Sequence, residues 1–440
     1  LGDGRPSRIS RNGIPMNRIV TAAAVVIALL PGGASRVLAQ DSSDMCSECH
    51  QALDSESLAG PVEMFEADIH AAAGFGCVDC HGGDSSIAGP GGMDPALGFL
   101  GTPRGEEVIA VCGRCHSDGE FMRQFNPSLR VDQVAEYWTS RHGQRLAATG
   151  DTAVATCADC HAPHGIRQAS DPKSTVYPMT VATTCGRCHD DAARMGGYDI
   201  PVDQNEKYAR SVHFNAMVEG GDISAPTCND CHGNHGAAPP GLSWVGNVCG
   251  QCHAVMADQF DESRHAQTFA ALGMPGCATC HGNHEILEAG DSLLGLGEGA
   301  VCTTCHSDSD TGGAAALAMR AGIDSLVGRI DAATTVLHEA EQAGMEVSAA
   351  QADLTDANSA LIMGRAAVHS FSPDAVTEAL EPGYEIATAS LETGESALQD
   401  LRVRRLGLIA SVAIILVFIL GLVLKIRQIE SGPADSPGRA

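Results

Sequence analysis

Large aromatic side chains are scarce in this chain. Phe, Tyr and Trp make up 4% of its 440 residues, and only two are Trp, whereas glycine contributes 50 residues. Because aromatic side chains normally fill much of a protein core, an ordinary large core is excluded. Because few large side chains are available, a bulky group other than an amino-acid side chain is expected to fill the interior.

Basic residues are also scarce. The chain has 27 Lys and Arg against 54 Asp and Glu, a formal net charge of −27 at pH 7. The negative electrostatic field of this charge disfavours binding of nucleic acid and speeds encounter with basic proteins. Acidic residues also maintain solubility by themselves. No phosphate-binding glycine loop, flavin motif or dinucleotide fingerprint is present.

No cysteine lies outside one repeated motif, C-x-x-C-H. The 18 cysteines form nine copies: Cys46/Cys49/His50, Cys77/Cys80/His81, Cys112/Cys115/His116, Cys157/Cys160/His161, Cys185/Cys188/His189, Cys228/Cys231/His232, Cys249/Cys252/His253, Cys277/Cys280/His281 and Cys302/Cys305/His306. The spacing lets two thiols form thioethers to haem while the adjacent imidazole reaches the iron. Zinc knuckles and a disulfide framework are the alternatives, but neither requires His directly after the second Cys. We expect nine covalently bound haem c groups.

The other histidines are candidates for the sixth iron ligand. Nine remain: His70, His142, His164, His213, His235, His265, His284, His338 and His369. Nine haems with two imidazoles each would use every histidine. For any one of them, a solvent-facing or hydrogen-bonded imidazole is the alternative. Some of the 13 methionines are further candidate ligands, although most serve as apolar fillers.

Four approximate repeats run from His70 to His306. Each has an isolated His followed by two haem motifs, and in three of them the first motif continues as C-x-x-C-H-x-x-H. That extra His is too close to reach the far face of its own haem, so we expect it to ligate a neighbouring haem. Asp84 replaces it in the first repeat, and the first motif has no spare His. We assign the two missing ligands to His338 and His369.

The nine motifs and their C-x-x-C-H-x-x-H variants resemble the multihaem cytochrome c superfamily over roughly residues 40–371. It includes class III tetrahaem cytochromes and the nitrite reductase and hydroxylamine oxidoreductase-like families. The resemblance implies little regular structure, closely stacked haems that exchange electrons, and haem attachment outside the cytoplasmic membrane. The long helices after the last motif are similar to those of the two enzyme families.

Enzymes of those families leave the sixth coordination position of one haem iron open for substrate. A reductase or oxidase of nitrogen or sulfur compounds is therefore the main alternative function. However, no Cys here is followed by Lys, as in the catalytic motif of many nitrite reductases. None of the five tyrosines has a context that marks it as the haem cross-link of the hydroxylamine oxidoreductases. A structural or assembly subunit of a larger complex is a further alternative.

Both ends of the chain carry apolar stretches. Residues 1–39 are interpreted as an upstream extension, with 1–15 preceding the true start, followed by a secretory signal; an uncleaved anchor is the alternative. The 19 uncharged residues 406–424 are long enough to cross a membrane as a helix. Export of the haem domain predicts a cytoplasmic tail at 425–440.

Between the last haem motif and this span, residues 311–400 show helical periodicity. We expect a helical hairpin that carries His338 and His369, a third helix beginning at Ser372-Pro373-Asp374, and an interruption at Pro382-Gly383. A plain stalk with incidental histidines is the alternative.

The predicted fold is therefore mostly coil and short α-helices around stacked haems at 40–310, then the hairpin and one C-terminal transmembrane helix. The predicted function is electron transfer by a nonahaem cytochrome anchored in the cell inner membrane and facing the periplasm. Its expected partners are a membrane redox complex or quinol dehydrogenase subunit and a soluble cytochrome or terminal reductase. No catalytic residue is assigned.

Overall fold

The computed structural model describes residues 44–241 and 245–432. The predicted extension and signal peptide at 1–39 lie outside the described residues, as do residues 433–440 of the predicted tail. Within the described ranges the chain is helical or irregular and contains no β-strand. This confirms the predicted mixture of coil and short helices followed by long helices.

The α-helices fall into a region of short helices and a region of long ones. They are α1 Met45–Gln51, α2 Glu56–Phe65, α3 Ile69–Ala72, α4 Cys77–His81, α5 Glu106–His116, α6 Gly119–Met122, α7 Gln133–Thr139, α8 Arg141–Thr149, α9 Cys157–His161, α10 Pro178–His189, α11 Ala192–Met195, α12 Gln204–Tyr208, α13 Val212–Val218, α14 Cys228–His232, α15 Val245–Gly250, α16 Ala254–Glu262, α17 Arg264–Leu272, α18 Gly276–His281, α19 Thr311–Gln342, α20 Ser348–Ala367 and α21 Pro373–Glu430. Short 3₁₀ turns occupy Gly89–Met93, Pro95–Leu97, Asp291–Leu293, Val301–Thr304 and Val368–Ser370. We call residues 44–310 the motif region and residues 311–405 the helical bundle.

The main apolar core lies in the helical bundle. Helices α19, α20 and α21 pack side by side, and their periodic apolar residues form one buried cluster that includes Ile323, Leu326, Leu337, Leu354 and Leu380. The motif region has only a small cluster around Ile109 and Leu146. The sparse apolar packing of the motif region agrees with the scarcity of aromatic residues in the sequence.

Helix α21 begins where the sequence predicts, but its predicted interruption is wrong. Ser372 caps the helix by accepting a hydrogen bond from the backbone N–H of Ala375, and Pro373 is its first residue. The helix then continues through Pro382. A proline inside a helix removes one backbone hydrogen bond and costs about 3 kcal/mol. Burial of Val376, Leu380 and Ala387 on both sides of the proline offsets that cost.

The C-terminal half of α21 is the candidate membrane anchor. The helix has 58 residues and contains a stretch long and apolar enough to cross a membrane. Its side chains there are exposed, for example Leu406 at 67% and Phe418 at 70%. A continuous apolar surface of this size is typical of a lipid-facing segment.

The motif region contacts the bundle at the end remote from this apolar segment. Arg365 forms an ion pair with Asp291, at 2.6 Å between Nη2 and Oδ2, and Arg320 donates to the Asp291 carbonyl at 2.7 Å. Pro373 and Leu406 are about 50 Å apart along α21 at 1.5 Å per residue. The bundle is therefore a stalk between the motif region and the candidate membrane segment.

Candidate haem sites

The motif helices place the two thiols and the imidazole of a motif on one face. In α4, α9 and α14 the first Cys opens the helix, the second follows three residues later and the His four residues later. Side chains at these spacings lie together on a helix. An Asp before the second Cys caps each helix; Asp159 Oδ2, for example, accepts from the Thr156 N–H at 2.8 Å. The local fold thus presents three groups to one cofactor.

The ninth motif departs from this helical arrangement. Cys302 lies in the 3₁₀ turn Val301–Thr304, and Cys305 and His306 follow that turn outside any helix. Asp310 instead holds the segment, because its carboxylate accepts from the Ser307 N–H at 2.7 Å and contacts His306 Nδ1 at 3.0 Å. The prediction that Cys305 attaches a haem therefore rests on the motif spacing and not on a helical scaffold.

The thiols differ in how far the polypeptide covers them. Thirteen cysteines are half-buried, and five are exposed, each of them the second Cys of its motif: Cys49, Cys80, Cys231, Cys252 and Cys305. An attachment role for the five stays a prediction.

The cysteines remain available for thioether formation. All 18 are free of disulfides. In the ranges 44–241 and 245–432, no three His, Cys, Asp or Glu side chains converge on a point that suits a metal ion.

Successive motifs adjoin one another in chain order. The Cys112 thiol lies against Cys157, which raises the pKa of the Cys112 thiol; Cys185 with Cys228 and Cys249 with Cys277 repeat this arrangement. In the remaining neighbouring motifs, burial raises the pKa of one thiol, and the charge of a thiol in the next motif adds a smaller contribution: Cys46 with Cys77, Cys80 with Cys112, Cys160 with Cys188, Cys231 with Cys252, and Cys280 with both Cys302 and Cys305. The nine motifs therefore follow one another in a linear series, which we call the file, from motif one to motif nine.

Sixteen of the 18 histidines form eight imidazole pairs, and each pair joins one motif His to one isolated His. Four pairs are nearly parallel, with ring planes 6–21° apart: His81 with His164, His161 with His235, His232 with His284, and His281 with His369. Four are steeply inclined, at 47–85°: His70 with His116, His142 with His189, His213 with His253, and His265 with His306. Along motifs two to nine, the two arrangements alternate.

The ring separations fit one iron between the two imidazoles. All eight centroid distances lie between 6.0 and 6.3 Å. With metal–nitrogen bonds of about 2 Å and ring centres about 1.1 Å behind the nitrogens, two axial imidazoles lie about 6.2 Å apart. Direct ring stacking would bring the rings closer than this. The residues present therefore fit bis-histidine haem.

Hydrogen bonds orient several of these rings. The Nδ1 atom of His81 donates to the Gly101 carbonyl at 2.8 Å, that of His232 to Ala238 at 3.1 Å and that of His369 to Ala366 at 2.9 Å. A donor role for Nδ1 leaves Nε2 free to bind metal. Burial also lowers the pKa of paired rings such as His142 and His161, which favours the neutral imidazole that a metal requires.

A residue with a left-handed backbone conformation follows each motif His that belongs to a parallel pair. These residues are Gly82, Ala162, Gly233 and Gly282, with φ between 56° and 85°. The turn directs the following chain away from its own motif. It carries His164 to His81, His235 to His161 and His284 to His232. The prediction that these histidines reach a neighbouring haem matches this placement, and their ligand role stays a prediction.

Backbone hydrogen bonds link each repeat to the next at equivalent positions. The N–H groups of Ile69, Arg141 and Val212, each just before an isolated His, donate to the carbonyls of Ile166, Ala237 and Ile286 at 2.8–2.9 Å. Each acceptor lies two residues beyond a C-x-x-C-H-x-x-H motif. Two histidines that pair with different motif histidines are therefore held in one junction by a backbone hydrogen bond.

The two histidines of the helical bundle have different positions. His369, in the turn before α21, faces His281 and completes the eighth pair. His338 belongs to none of the pairs. Its side chain is 64% exposed, and its Nε2 lies 2.8 Å from Nε2 of Gln342. The geometry of this chain therefore gives no support to His338 as an axial ligand.

His50 is the one motif histidine outside the pairs. Its Nδ1 lies 3.4 Å from the Leu58 carbonyl. Its motif lies beside motif two, where Ser47 Oγ is 3.8 Å from Cys77 Sγ. The first motif can hold a haem, but no imidazole of the described residues stands opposite His50.

Asp68 is a site residue that the sequence reasoning missed. Its carboxylate is 1% exposed and accepts from Nδ1 of His70 at 2.9 Å and from the Ile166 N–H at 2.7 Å. Ser140, Ser211 and Ser263 occupy the equivalent position, two residues before an isolated His. An alignment of the four repeats contains this signal, because the first repeat has a carboxylate at the position where each of the other three has a hydroxyl.

Paired imidazoles and adjoining C-x-x-C-H motifs are typical of multihaem cytochromes c, a class of electron-transfer proteins with covalently bound haem. Two overlapping stretches, residues 150–254 and 222–307, match the model of the Cytochrome c3 family. Each stretch contains four motifs, and they are offset by one two-motif repeat. No curated protein and no solved structure matches the chain significantly.

Proposed function

We propose that this protein is a membrane-anchored cytochrome with nine haem c groups that conducts electrons along a single file. The observation that carries this proposal is the set of eight imidazole pairs at 6.0–6.3 Å. Two axial imidazoles fill an iron's coordination, so such haems exchange electrons rather than bind substrate. The haems supply the redox chemistry, and the chain positions them and tunes their potentials.

The file has two distinct ends. Motif nine lies at the bundle: His265, which pairs with His306, lies against Phe371 with ring centroids 3.8 Å apart and the ring planes inclined by 34°. Motif one lies at the other end of the file. Electrons therefore travel between a partner at the bundle and a partner near motif one.

We propose that the haem domain faces the periplasm and that α21 anchors it in the inner membrane. A quinol-linked membrane partner then supplies electrons at motif nine, and a soluble cytochrome or a terminal reductase receives them. The stalk raises motif nine by about 50 Å above Leu406 along α21. The membrane partner must therefore have an extramembrane redox domain that reaches this height.

The test is a haem count and a spin-state count on the purified full chain. Intact mass should exceed that of the polypeptide by nine haems, and pyridine haemochrome should give nine haems per chain. Low-temperature electron paramagnetic resonance of the oxidised protein should show at least eight low-spin haems. Fewer than nine haems per chain, or fewer than eight low-spin haems, contradicts the proposal.

A second function, reduction of a small molecule at one open haem, is favoured by one specific observation. His50 has no opposite imidazole among the described residues, whereas the eight other motif histidines do.

A further inference from the structure

All imidazoles of the chain are accounted for. The sequence contains 18 histidines, and each lies within the described ranges. Eight pairs use sixteen of them, which leaves His50 and His338. If the proposed haems form, His338 is the single histidine of this chain that could complete the coordination of the first haem.

His338 lies far from the first motif. It is on α19, about 40 Å along the helix axis from Thr311, towards the candidate membrane segment. The start of α19 adjoins motif nine, because a Cβ at Gly312 would meet the His306 ring at 2.2 Å. Motif one is at the opposite end of the file. Within one chain, His338 and His50 therefore cannot ligate one iron.

The first motif also lies on a capped helix, with both thiols and His50 within α1. Asp44 caps α1 by accepting from the Cys46 N–H at 3.2 Å, and α1 packs on α2. The Leu58 carbonyl, at 3.4 Å from His50 Nδ1, favours the ring orientation that leaves Nε2 for the iron. The first motif is thus equipped to attach a haem on one face.

We propose that the haem held by Cys46, Cys49 and His50 is the open haem of this protein and binds small exogenous ligands on its distal face. The ligand class is diatomic molecules such as carbon monoxide or nitric oxide for the ferrous iron, and cyanide or azide for the ferric iron. This inference rests on the proposed nonahaem function. The open site then lies at the end of the file that is remote from the bundle.

The first experiment uses the full-length wild-type protein. We expect nine haems per chain, one high-spin ferric haem beside eight low-spin haems, and binding of one carbon monoxide per reduced chain. Nine low-spin haems without carbon monoxide binding would overturn the inference and leave the proposed function intact. Fewer than nine haems per chain would instead contradict the proposed function.

Variants assign the open site. Cys46→Ala with Cys49→Ala should yield eight low-spin haems and lose the carbon monoxide site. The matched pair Cys112→Ala with Cys115→Ala removes a haem whose motif His has a partner, so it should lose a low-spin haem and keep the carbon monoxide site. Retention of the site in the first variant would overturn the inference.

His338→Ala removes an exposed side chain and deletes no haem, so this test does not require a haem-deleted variant to mature. It should leave the spin states and the carbon monoxide stoichiometry unchanged. Appearance of a new high-spin haem would mean that His338 ligates an iron, for example in a second copy of the chain, and would overturn the inference.

Discussion

The carboxylate of Asp68 accepts a hydrogen bond from Nδ1 of His70 at 2.9 Å, in a site where the Asp68 side chain is 1% exposed. A buried carboxylate on the remote nitrogen makes an axial imidazole more basic, which stabilises the ferric state. The equivalent Ser211 instead accepts from the backbone N–H of Phe214. The imidazole that faces the third motif is therefore hydrogen-bonded differently from its counterparts in the later repeats.

Replacing Asp68 with Asn should raise the midpoint potential of one haem. We expect about 60 mV, which for one electron is a tenfold change in the equilibrium constant. Potentiometric titration followed by electron paramagnetic resonance measures it. Asp310→Asn is the control, because Asp310 contacts His306 Nδ1 at 3.0 Å but is 41% exposed, so solvent should reduce its effect. Equal shifts in the two variants would contradict the argument from burial.

His369→Ala should convert one haem from low to high spin. His369 faces His281 with ring centroids 6.1 Å apart and is the one paired histidine contributed from the bundle. The spin count of the oxidised protein measures the change, and His338→Ala is the control. An unchanged spectrum for His369→Ala would show that another group ligates the eighth haem.

Gly383→Ala should destabilise the helical bundle. A Cβ there would meet the Ala360 Cβ at 2.8 Å and the Leu326 Cδ2 at 3.0 Å, and such overpacking costs about 1–3 kcal/mol. Thermal unfolding followed by far-ultraviolet circular dichroism measures it. Gly328→Ala on α19 is the control, since a Cβ there meets nothing within 4 Å and should gain about 0.5–1 kcal/mol.

Asp151 should make stability depend on acid pH. Hydrogen bonds from Arg145, the Ala153 N–H and Tyr198 lower its pKa. A group with a lowered pKa contributes stability above its unfolded pKa of about 3.9, and the contribution disappears as the pH falls through the folded pKa. The melting temperature of Asp151→Asn should therefore lie below wild type at pH 6, and the difference should shrink below pH 4. A constant difference would contradict this sign.

Removal of residues 401–440 should release a soluble haem protein. The apolar surface of residues 406–424 would be absent, while the buried bundle core ends before it. Fractionation should find the truncated protein in the soluble periplasmic fraction with an unchanged haem count and spin spectrum. Persistent membrane association would indicate a second attachment to the membrane.

Part of the fold follows from local sequence signals. The start of α21 is predictable because Ser372 and Pro373 act within one turn. Continuation of that helix through Pro382 is not predictable, because the buried contacts of Leu380 and Ala387 that offset the proline come from other helices. Contacts between helices also separate His338 from His369. The helical periodicity gave both residues the same predicted role, whereas packing brought only His369 next to another imidazole.

The sequence by itself determined the attachment chemistry and the supply of ligands, because C-x-x-C-H is a local spacing and histidines can be counted. Only the tertiary structure decided which imidazoles pair, the chain order of the motifs in space, and that His50 has no counterpart. These relationships join residues from different repeats. Left-handed turns such as that at Ala162, together with hydrogen bonds such as Ile69 N–H to Ile166 O at 2.9 Å, create them, and neither is encoded by the spacing of a motif.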